Sequence, residues 1–292
     1  MIPREFLRRI RRLEIRTRKL VTDTFAGEYH SIFKGRGMEF AEVREYVAGD
    51  DIRLIDWNVS SRMGHLYVKQ FVEERELTVM LLLDASASSH FGTRVRTKRD
   101  LQAEIAAALA FSAVLNNDRV GMLIFTDRVE KFIPPKKGRM HALSIIRDVL
   151  YFEPTGRGTS LDTALRYLIN TVKKTGVVFI LSDFIDDGYE AAFRVAARKY
   201  DLIAVVAEDE REFEIPDIGL VALRDAESGQ EQIVDTSSPL IRRKMSEAMR
   251  RRREIASRLF VSTGVDKIEL STGASFEARL QSFFASRARR LR

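Results

Sequence analysis

Three oxygen-bearing side chains follow an apolar segment of this chain at alternate positions. Residues 77–83 read Leu-Thr-Val-Met-Leu-Leu-Leu, and Asp84, Ser86 and Ser88 come directly after them. Such a run predicts a central strand of a parallel sheet, and open α/β sheets bind ligands at the carboxyl ends of such strands. One carboxylate and two hydroxyls form a hard, oxygen-only ligand set that suits Mg²⁺, Mn²⁺ or Ca²⁺.

The same pattern has a simpler interpretation, in which Asp84 caps the segment that follows a strand. Two further stretches favour the metal site. Residues 156–160, Gly-Arg-Gly-Thr-Ser, form a loop that runs into a helical pattern. Residues 177–182 form another apolar strand, which is followed by Asp183.

Taken together, these three stretches resemble the metal-ion-dependent adhesion site of von Willebrand factor A-like domains. The resemblance implies a bound divalent cation, with Mg²⁺ first and Mn²⁺ or Ca²⁺ as alternatives. It also implies five ligand positions, which are Asp84, Ser86, Ser88, Thr159 and Asp183.

The elements that must position these residues alternate between strand and helix from residue 77 onward. Further strands are predicted at 120–125, 177–182, 202–207 and 265–270, with amphipathic helical patterns between them. This alternation predicts an α/β fold with a mostly parallel sheet flanked by helices.

Four local features complete the predicted body of the protein. They are a strand at 129–133 ended by Pro134-Pro135, a solvated acidic loop at 208–212, a hairpin from 218–223 and 232–234, and a long helix that begins at Pro239.

The region before the first metal motif is less regular. Residues 2–20 predict a basic amphipathic helix, and residues 27–76 are punctuated by glycines. Asp50, Asp51 and Asp56 lie near Arg53 in the sequence. This cluster predicts either a second metal or acid–base site or a buried Asp–Arg network that pins an irregular segment.

Short sequences in this region resemble the bacterial domain of unknown function 58 family. They are residues 35–40 (GRGMEF), 44–46 (REY), 49–53 (GDDIR), 55–57 (IDW) and 67–71 (YVKQF). In that family they immediately precede a von Willebrand factor A-like metal motif, as they do here, and the resemblance covers nearly the whole chain. It implies a partner, a AAA+ ATPase of the MoxR type, in systems that assist assembly or metallocofactor insertion of client proteins.

This organisation predicts three parts. Residues 1–76 form an N-terminal family-specific segment with a basic helix and an irregular and β region. Residues 77–270 form the von Willebrand factor A-like metal-binding domain, and residues 271–292 form a basic C-terminal helix.

The absence of cysteine and the distribution of charge limit the functions that this protein can have. The chain has no cysteine, which excludes disulfides, thiolate catalysis and Cys-ligated zinc. Residues 1–20 carry a net charge of +6 and residues 237–292 carry +9. Because the whole chain has a net charge of +7, the 216 residues between these ends have a net charge of −8. Basic ends can bind nucleic acid or anionic lipid, but the absence of a nucleic-acid motif favours packing on the acidic body or on a protein partner.

The expected location is cytoplasmic, because no apolar run reaches the length of a membrane span and the charged start lacks the apolar core of a signal peptide. Neither a transmembrane segment nor a stable nucleic-acid complex is expected.

The expected function is a chaperone-like adaptor, a metal-dependent protein–protein interaction module that works with a MoxR-type ATPase. A partner or client protein would supply an acidic residue to the metal. The alternatives are a metal-dependent hydrolase, and a binder of nucleic acid or membrane surfaces through the basic ends. No enzyme activity is expected, because the sequence places no general base at the site and contains no phosphate-binding G-x-x-x-x-G-K-[ST] loop.

Overall fold

The computed structural model describes residues 38–73, 77–92, 96–227 and 229–290. These residues divide into two compact units, one that ends at Leu77 and one that begins at Thr78. The predicted helix over 2–20 lies outside the described residues.

The smaller unit is built on an antiparallel pair of strands. Strand β1 covers Met38–Glu45 and β2 covers Tyr67–Glu73, with helix α1, Trp57–Met63, between them. Helix α1 begins at Asp56, whose carboxylate accepts hydrogen bonds from two backbone amides of the first turn. It ends at Gly64, whose φ of +75° is the left-handed conformation typical of a helix end.

The carboxylates of the Asp50 region have separate structural roles. Asp50 pairs with Arg44 at 2.7 Å, Asp51 accepts from the Arg53 amide at 2.9 Å, and Asp56 caps α1. Among the described residues none of them joins a group of metal-ligating side chains. The prediction that Arg53 pairs with these carboxylates is wrong, because the arginine that binds Asp50 is Arg44.

The larger unit contains a six-stranded sheet. Its strands are β3 Thr78–Asp84, β4 Arg119–Phe125, β5 Val129–Lys136, β6 Val177–Ser182, β7 Asp201–Glu208 and β10 Asp266–Ser271, in the spatial order β10-β7-β6-β3-β4-β5. All neighbouring pairs are parallel except β4–β5, which is antiparallel. The predicted α/β fold with a mostly parallel sheet is confirmed.

Helices cover both faces of this sheet. They are α2 Lys98–Leu115, α3 Arg139–Tyr151, α4 Leu161–Thr171, α5 Glu190–Lys199, α6 Glu210–Phe213, α7 Pro239–Thr263 and α8 Glu277–Arg290. One core cluster joins the sheet to α4, α5 and α7 through residues such as Leu165, Phe193 and Phe260. Another joins α2 to α3 through Phe111 and Ile146. Because both faces are covered, every residue of β3 and β6 is buried, which explains the apolar runs at 79–83 and 177–181 within them.

Strand β5 extends further than expected. Pro134 and Pro135 were predicted to break the chain, but both lie inside β5. Proline lacks the backbone N–H that a central strand needs, yet it is tolerated at a sheet edge. Since β5 is the last strand in the order, the break predicted at these prolines is wrong.

The acidic run at 208–212 is also more ordered than a solvated loop. Glu208 ends β7, and Asp209 begins α6 with a capping box that it forms with Glu212. Asp209 is buried, and its carboxylate accepts a 2.5 Å hydrogen bond from Thr272. The sequence pattern predicted solvent exposure because it contains no information on this distant partner.

The remaining strands form a separate two-stranded hairpin. Strand β8 covers Leu220–Arg224 and β9 covers Glu231–Asp235, and they pair antiparallel as predicted. Thr236, at the base, is buried and its hydroxyl donates to the Gly219 carbonyl at 2.7 Å.

Several arginines of the basic C-terminal region pair with the acidic body. Arg253 binds Glu208 at 2.9 Å, and Arg287 binds Asp201 at 2.5 Å. Within the described ranges no helix has the length and apolar character required to cross a membrane.

Helix α7 offers a direct test of this packing. Leu259 is buried in the core cluster, whereas Val261, two residues further on, is 79% exposed. We expect Leu259→Ala to lower the free energy of unfolding by about 2–5 kcal/mol and Val261→Ala to change it by less than about 0.5 kcal/mol. Urea denaturation of both variants checks this, and similar losses in both would contradict the packing described.

Candidate metal centre

The predicted ligands lie at the carboxyl edge of the central strands. Asp84 is the last residue of β3, and Asp183 follows the last residue of β6. These strands are parallel neighbours with Leu83 opposite Leu181, so the two carboxylates meet at one edge of the sheet. Ser86 precedes a short 3-10 turn, Ala87–His90, that contains Ser88.

A chain of hydrogen bonds joins four of the five predicted residues. The Ser86 amide donates to Asp84 Oδ1 at 2.9 Å, and the Ser86 and Ser88 hydroxyls lie 3.1 Å apart. The Ser88 hydroxyl donates to Asp183 Oδ2 at 3.2 Å. The fold therefore brings Asp84, Ser86, Ser88 and Asp183 together as the motif predicted.

The carboxylates are oriented by groups that the motif did not identify. The Ser182 hydroxyl donates to Asp84 Oδ2 at 2.6 Å and accepts from the Phe184 amide at 3.0 Å. The Ile185 amide donates to Asp183 Oδ1 at 3.1 Å. This turn needs Phe184 at a φ of +57°, a rare conformation for a bulky residue that tends to occur at functional sites. The Phe184 ring is buried and packs edge-on against Phe260.

The charge of Asp84 is not balanced by a basic residue. Its side chain is buried, and among the described residues no Lys, Arg or His forms an ion pair with it. Burial, followed by the negative charge of Asp183, raises the pKa of Asp84 to about 6, although hydrogen bonds from Ser182 and Ser86 oppose this rise. A buried carboxylate of this kind is costly unless a cation approaches it.

Asp183, by contrast, has a cationic partner that sequence analysis missed. Lys98 Nζ lies 2.7 Å from Asp183 Oδ2 and 2.6 Å from Glu212 Oε1, and the lysine side chain is 1% exposed. Burial alone lowers the pKa of Lys98, but the charges and hydrogen bonds of its two carboxylate partners outweigh this and raise it above the usual range. Lys98 is therefore a permanent cation of the site.

The loop that carries Thr159 is fixed beside the first motif. The Ala87 amide donates to the Arg157 carbonyl at 2.9 Å. Glu130 accepts from the backbone amides of Thr155 and Gly156 at 3.1 and 2.7 Å. Gly156 lies so close to Thr126 and Asp127 that a Cβ at this position would clash with both side chains. Glycine is therefore required where the loop passes the connection between β4 and β5.

Thr159 is not part of the hydrogen-bonded chain formed by the other four residues. Its hydroxyl donates to Glu227 Oε1 at 2.7 Å, and Glu227 lies in the turn between β8 and β9. Burial, rather than any nearby charge, is the main cause that raises the pKa of Glu227. No sequence motif indicated this contact.

A cavity of about 390 Å³ adjoins the site. Its lining includes Ser88, Asp186, Asp187, Asp225 and Glu227, together with Leu259. Ser88 therefore belongs both to the predicted ligand set and to a space that a second molecule can enter.

The donor set fits a hard divalent cation. Within the described ranges no three or more His, Asp or Glu side chains form a metal-binding group, so the candidate centre consists of two carboxylates with serine and threonine hydroxyls. Oxygen donors of this kind suit Mg²⁺. The observation that favours a cation is the buried Asp84 carboxylate, which has no positive partner in the described chain.

The fold and this site can be compared with known proteins. The chain matches, over residues 42–255, the family described as "Protein of unknown function DUF58". It belongs to this family. The family predicted from the short sequences before residue 77 is thus confirmed.

Relatives of this DUF58 protein include uncharacterised proteins of Mycobacterium tuberculosis and Mycobacterium bovis. Each is 32% identical over 285 residues, which cover 96% of this chain and 89% of the relative. Among solved structures, BatB, a conserved hypothetical protein from Bacteroides thetaiotaomicron, matches with a TM-score of 0.47 and 16% identity over 73% of this chain and 99% of that one. An aerotolerance-related membrane protein from Bacteroides fragilis matches with a TM-score of 0.46, 15% identity and the same coverage.

The buried ion pairs of Lys98 give a first prediction for the site. Lys98→Met leaves two buried carboxylates without their cation, so we expect it to lower the free energy of unfolding by about 3–5 kcal/mol. Adding Glu212→Gln removes one of those orphaned charges, so the double variant should be less destabilised than the sum of the two single variants. Urea denaturation of all four proteins measures this coupling, and simple additivity would refute it.

The two glycines of the 156–160 loop give a second prediction. Gly156→Ala forces Thr126 and Asp127 to move, and we expect a loss of about 1–3 kcal/mol in unfolding free energy. Gly158→Ala is the matched control, because its Cβ would lie 3.5 Å from Asp127 Cβ, an ordinary contact. Thermal denaturation compares the two variants, and an equally stable Gly156→Ala would contradict the close approach.

Proposed function

We propose that this DUF58 protein is a metal-dependent protein–protein interaction module, in which residues 77–270 form a von Willebrand factor A-like domain. The observation that carries the proposal is the buried Asp84 carboxylate, which forms no ion pair with any described residue. It lies in one hydrogen-bonded group with Ser86, Ser88 and Asp183, at the sheet edge where α/β proteins bind ligands.

Each residue of the group has a distinct role in this proposal. Ser86 and Ser182 hold the two oxygens of Asp84, so this carboxylate is positioned before any ligand arrives. Asp183 shares the Lys98 ammonium with Glu212, whereas Asp84 forms no ion pair with any described residue. Ser88 faces the adjoining cavity, through which a partner gains access.

A bound Mg²⁺ would supply an electrophilic position that a Glu or Asp side chain of another protein can complete. The chain's own contribution is to hold the ion mainly through hydroxyls and a small number of carboxylates, which leaves its charge incompletely neutralised. Such a contact is directional and reversible, as an adaptor between an ATPase and its client requires.

The proposed partner is a MoxR-type AAA+ ATPase, acting in the assembly or maturation of client proteins. The resemblance of residues 35–71 to the DUF58 family supports this part of the proposal.

Binding is favoured over metal-dependent hydrolysis by the contacts of His90, the histidine that follows the first metal motif in the sequence. His90 lies at the end of the turn that holds Ser88, but its Nε2 lies 3.3 Å from Arg99 Nη1. Among the described residues no histidine forms a hydrogen bond with any of the five predicted ligands.

The alternative of binding nucleic acid or membranes through the basic ends has less support. Arg253, Arg287 and Arg290 are already paired with Glu208, Asp201 and Asp266 of the body. These ion pairs reduce the cationic surface that a polyanion would need.

Metal binding is tested first. A cation that binds only the folded state stabilises it by about 2.7 kcal/mol at a hundred times its Kd. We therefore expect the melting temperature to rise with Mg²⁺ or Mn²⁺ in the wild type and in Asp187→Asn, but not in Asp84→Asn. Asp187 is the matched control, since it lines the same cavity outside the hydrogen-bonded group. A wild-type melt that is unchanged at millimolar cation would refute metal binding.

Partner binding is tested separately with the purified MoxR-type ATPase of the same organism. We expect the affinity measured in Mg²⁺ to fall at least tenfold, or about 1.4 kcal/mol, in EDTA and in Asp84→Ala. Thr159→Ala should weaken it to a smaller extent. If affinity is the same in Mg²⁺ and EDTA for every variant, the metal does not mediate the contact.

A further inference from the structure

The turn between β8 and β9 reaches the candidate metal centre. Glu227 Oε1 accepts the hydrogen bond from Thr159 at 2.7 Å. Its other carboxylate oxygen lies over the same loop, 3.8 Å from the position that a Cβ on Gly158 would take. Glu227 also lines the cavity with Ser88. Glu227, an acidic side chain of the protein itself, therefore approaches the loop that carries the predicted ligand Thr159. It does so beside the cavity that is also lined by the predicted ligand Ser88.

The turn is built so that it presents this side chain. Asp225 Oδ1 accepts from the Glu227 amide at 2.9 Å, and the Asp225 amide donates to the Gln230 carbonyl at 2.8 Å. The Gly229 amide donates to the Asp225 carbonyl at 2.9 Å, with Gly229 at a φ of +73°. These local bonds fix the backbone at Glu227 without using its carboxylate.

The carboxylate of Glu227 has only a neutral partner. Its side chain is half-buried, yet within the described residues no Lys, Arg or His forms an ion pair with it. Arg252 lines the same cavity without forming such a pair. A half-buried charge held by one hydroxyl is poorly compensated, and a divalent cation beside Thr159 would compensate it.

The hairpin is attached in a way that lets its tip move. Its base is held at the buried Thr236, which bonds to Gly219 through both its amide and its hydroxyl. The strands themselves are largely exposed, with Leu220 at 74% and Ile233 at 76%. A two-stranded ribbon with little core is marginally stable by itself, so displacing its tip costs little.

We propose that Glu227 is the protein's own occupant of the position that a partner's carboxylate takes at the metal, so that the β8–β9 hairpin is a latch which an acidic partner displaces. This inference rests on the proposed function, because it assumes the metal centre. It adds a built-in competitor to that centre.

The competitor has a definite thermodynamic effect. Because Glu227 is tethered to the site, it competes at an effective concentration on the order of millimolar or above. The apparent affinity for the partner equals its intrinsic affinity multiplied by the fraction of molecules in which the latch is open. Removing the Glu227 carboxylate should therefore weaken binding of the metal alone and strengthen binding of an external carboxylate.

The first experiment uses Mn²⁺ alone, in the full chain. We compare the wild type with Glu227→Ala and with the matched control Glu231→Ala, an exposed glutamate of the same hairpin. We expect Mn²⁺ affinity to fall roughly 10- to 100-fold in Glu227→Ala, as when a group that supports a metal site is removed. The water-proton relaxation rate per bound Mn²⁺ should rise in that variant, because water fills the position that Glu227 leaves. Glu231→Ala should behave as the wild type.

The second experiment adds acetate as the simplest external carboxylate and follows the same relaxation rate. Acetate should lower the rate at a smaller concentration in Glu227→Ala than in the wild type or Glu231→Ala. In addition, Mn²⁺ should slow hydrogen exchange of the amides in 220–235 in the wild type and in Glu231→Ala, but not in Glu227→Ala.

The possible failures separate this inference from the proposed function. Unchanged Mn²⁺ affinity and relaxation in Glu227→Ala would overturn the latch while leaving the metal centre intact, provided that Asp84→Ala abolishes binding. Tighter Mn²⁺ binding in Glu227→Ala would also overturn it, since Glu227 would then withhold Thr159 from the ion. An equal response to acetate in all three proteins would show that no competitor is present. Absence of Mn²⁺ binding in the wild type would overturn both proposals.

Discussion

The buried carboxylate of Asp84 is the constraint that the rest of the site depends on. It lies at the end of β3, a strand that is buried along its whole length, and no basic side chain of the described residues pairs with it. Two hydrogen-bond donors, the Ser86 amide and the Ser182 hydroxyl, hold it in place without neutralising it. Its neighbour Asp183 differs, because the buried ammonium of Lys98 lies 2.7 Å from it and is shared with Glu212. The site therefore has one compensated and one uncompensated carboxylate, and this asymmetry identifies where a cation would enter.

The elements that carry this asymmetry come from distant parts of the chain. Lys98 is the first residue of α2, Glu212 lies in α6, and Asp183 follows β6. The Lys98 ammonium therefore links three segments that are far apart in the sequence. Glu130 performs a similar function for the 156–160 loop, since its carboxylate accepts two consecutive backbone amides. Charged groups thus hold both loops of the candidate centre rigidly, whereas the hairpin that carries Glu227 is held mainly at its base.

The sequence was sufficient for features that depend on local pattern. Strands β3 and β6 were predicted nearly to the residue because a strand covered on both faces is apolar along most of its length. The grouping of Asp84 with Asp183 followed from parallel neighbours that end at one edge. Contacts between side chains that are distant in the sequence could not be predicted from local pattern. Glu212 lies in a charged run that predicted solvent exposure, yet it meets Lys98 across 114 positions of the chain. The contact between Thr159 and Glu227 spans 68 positions and has no motif.

The two prolines within β5 have a consequence for how this protein meets others. A strand at the end of a sheet ordinarily offers a row of amides and carbonyls to which a foreign strand can be added. Pro134 and Pro135 each lack a backbone N–H, which interrupts this row where they lie, and the exposed Lys136 adds a positive charge beside them. Growth of the sheet by a partner, or by a second copy, is disfavoured at this margin. Under the proposed function, a partner would therefore be recognised at the loops, where the identity of its side chains decides binding, and not by addition of a strand.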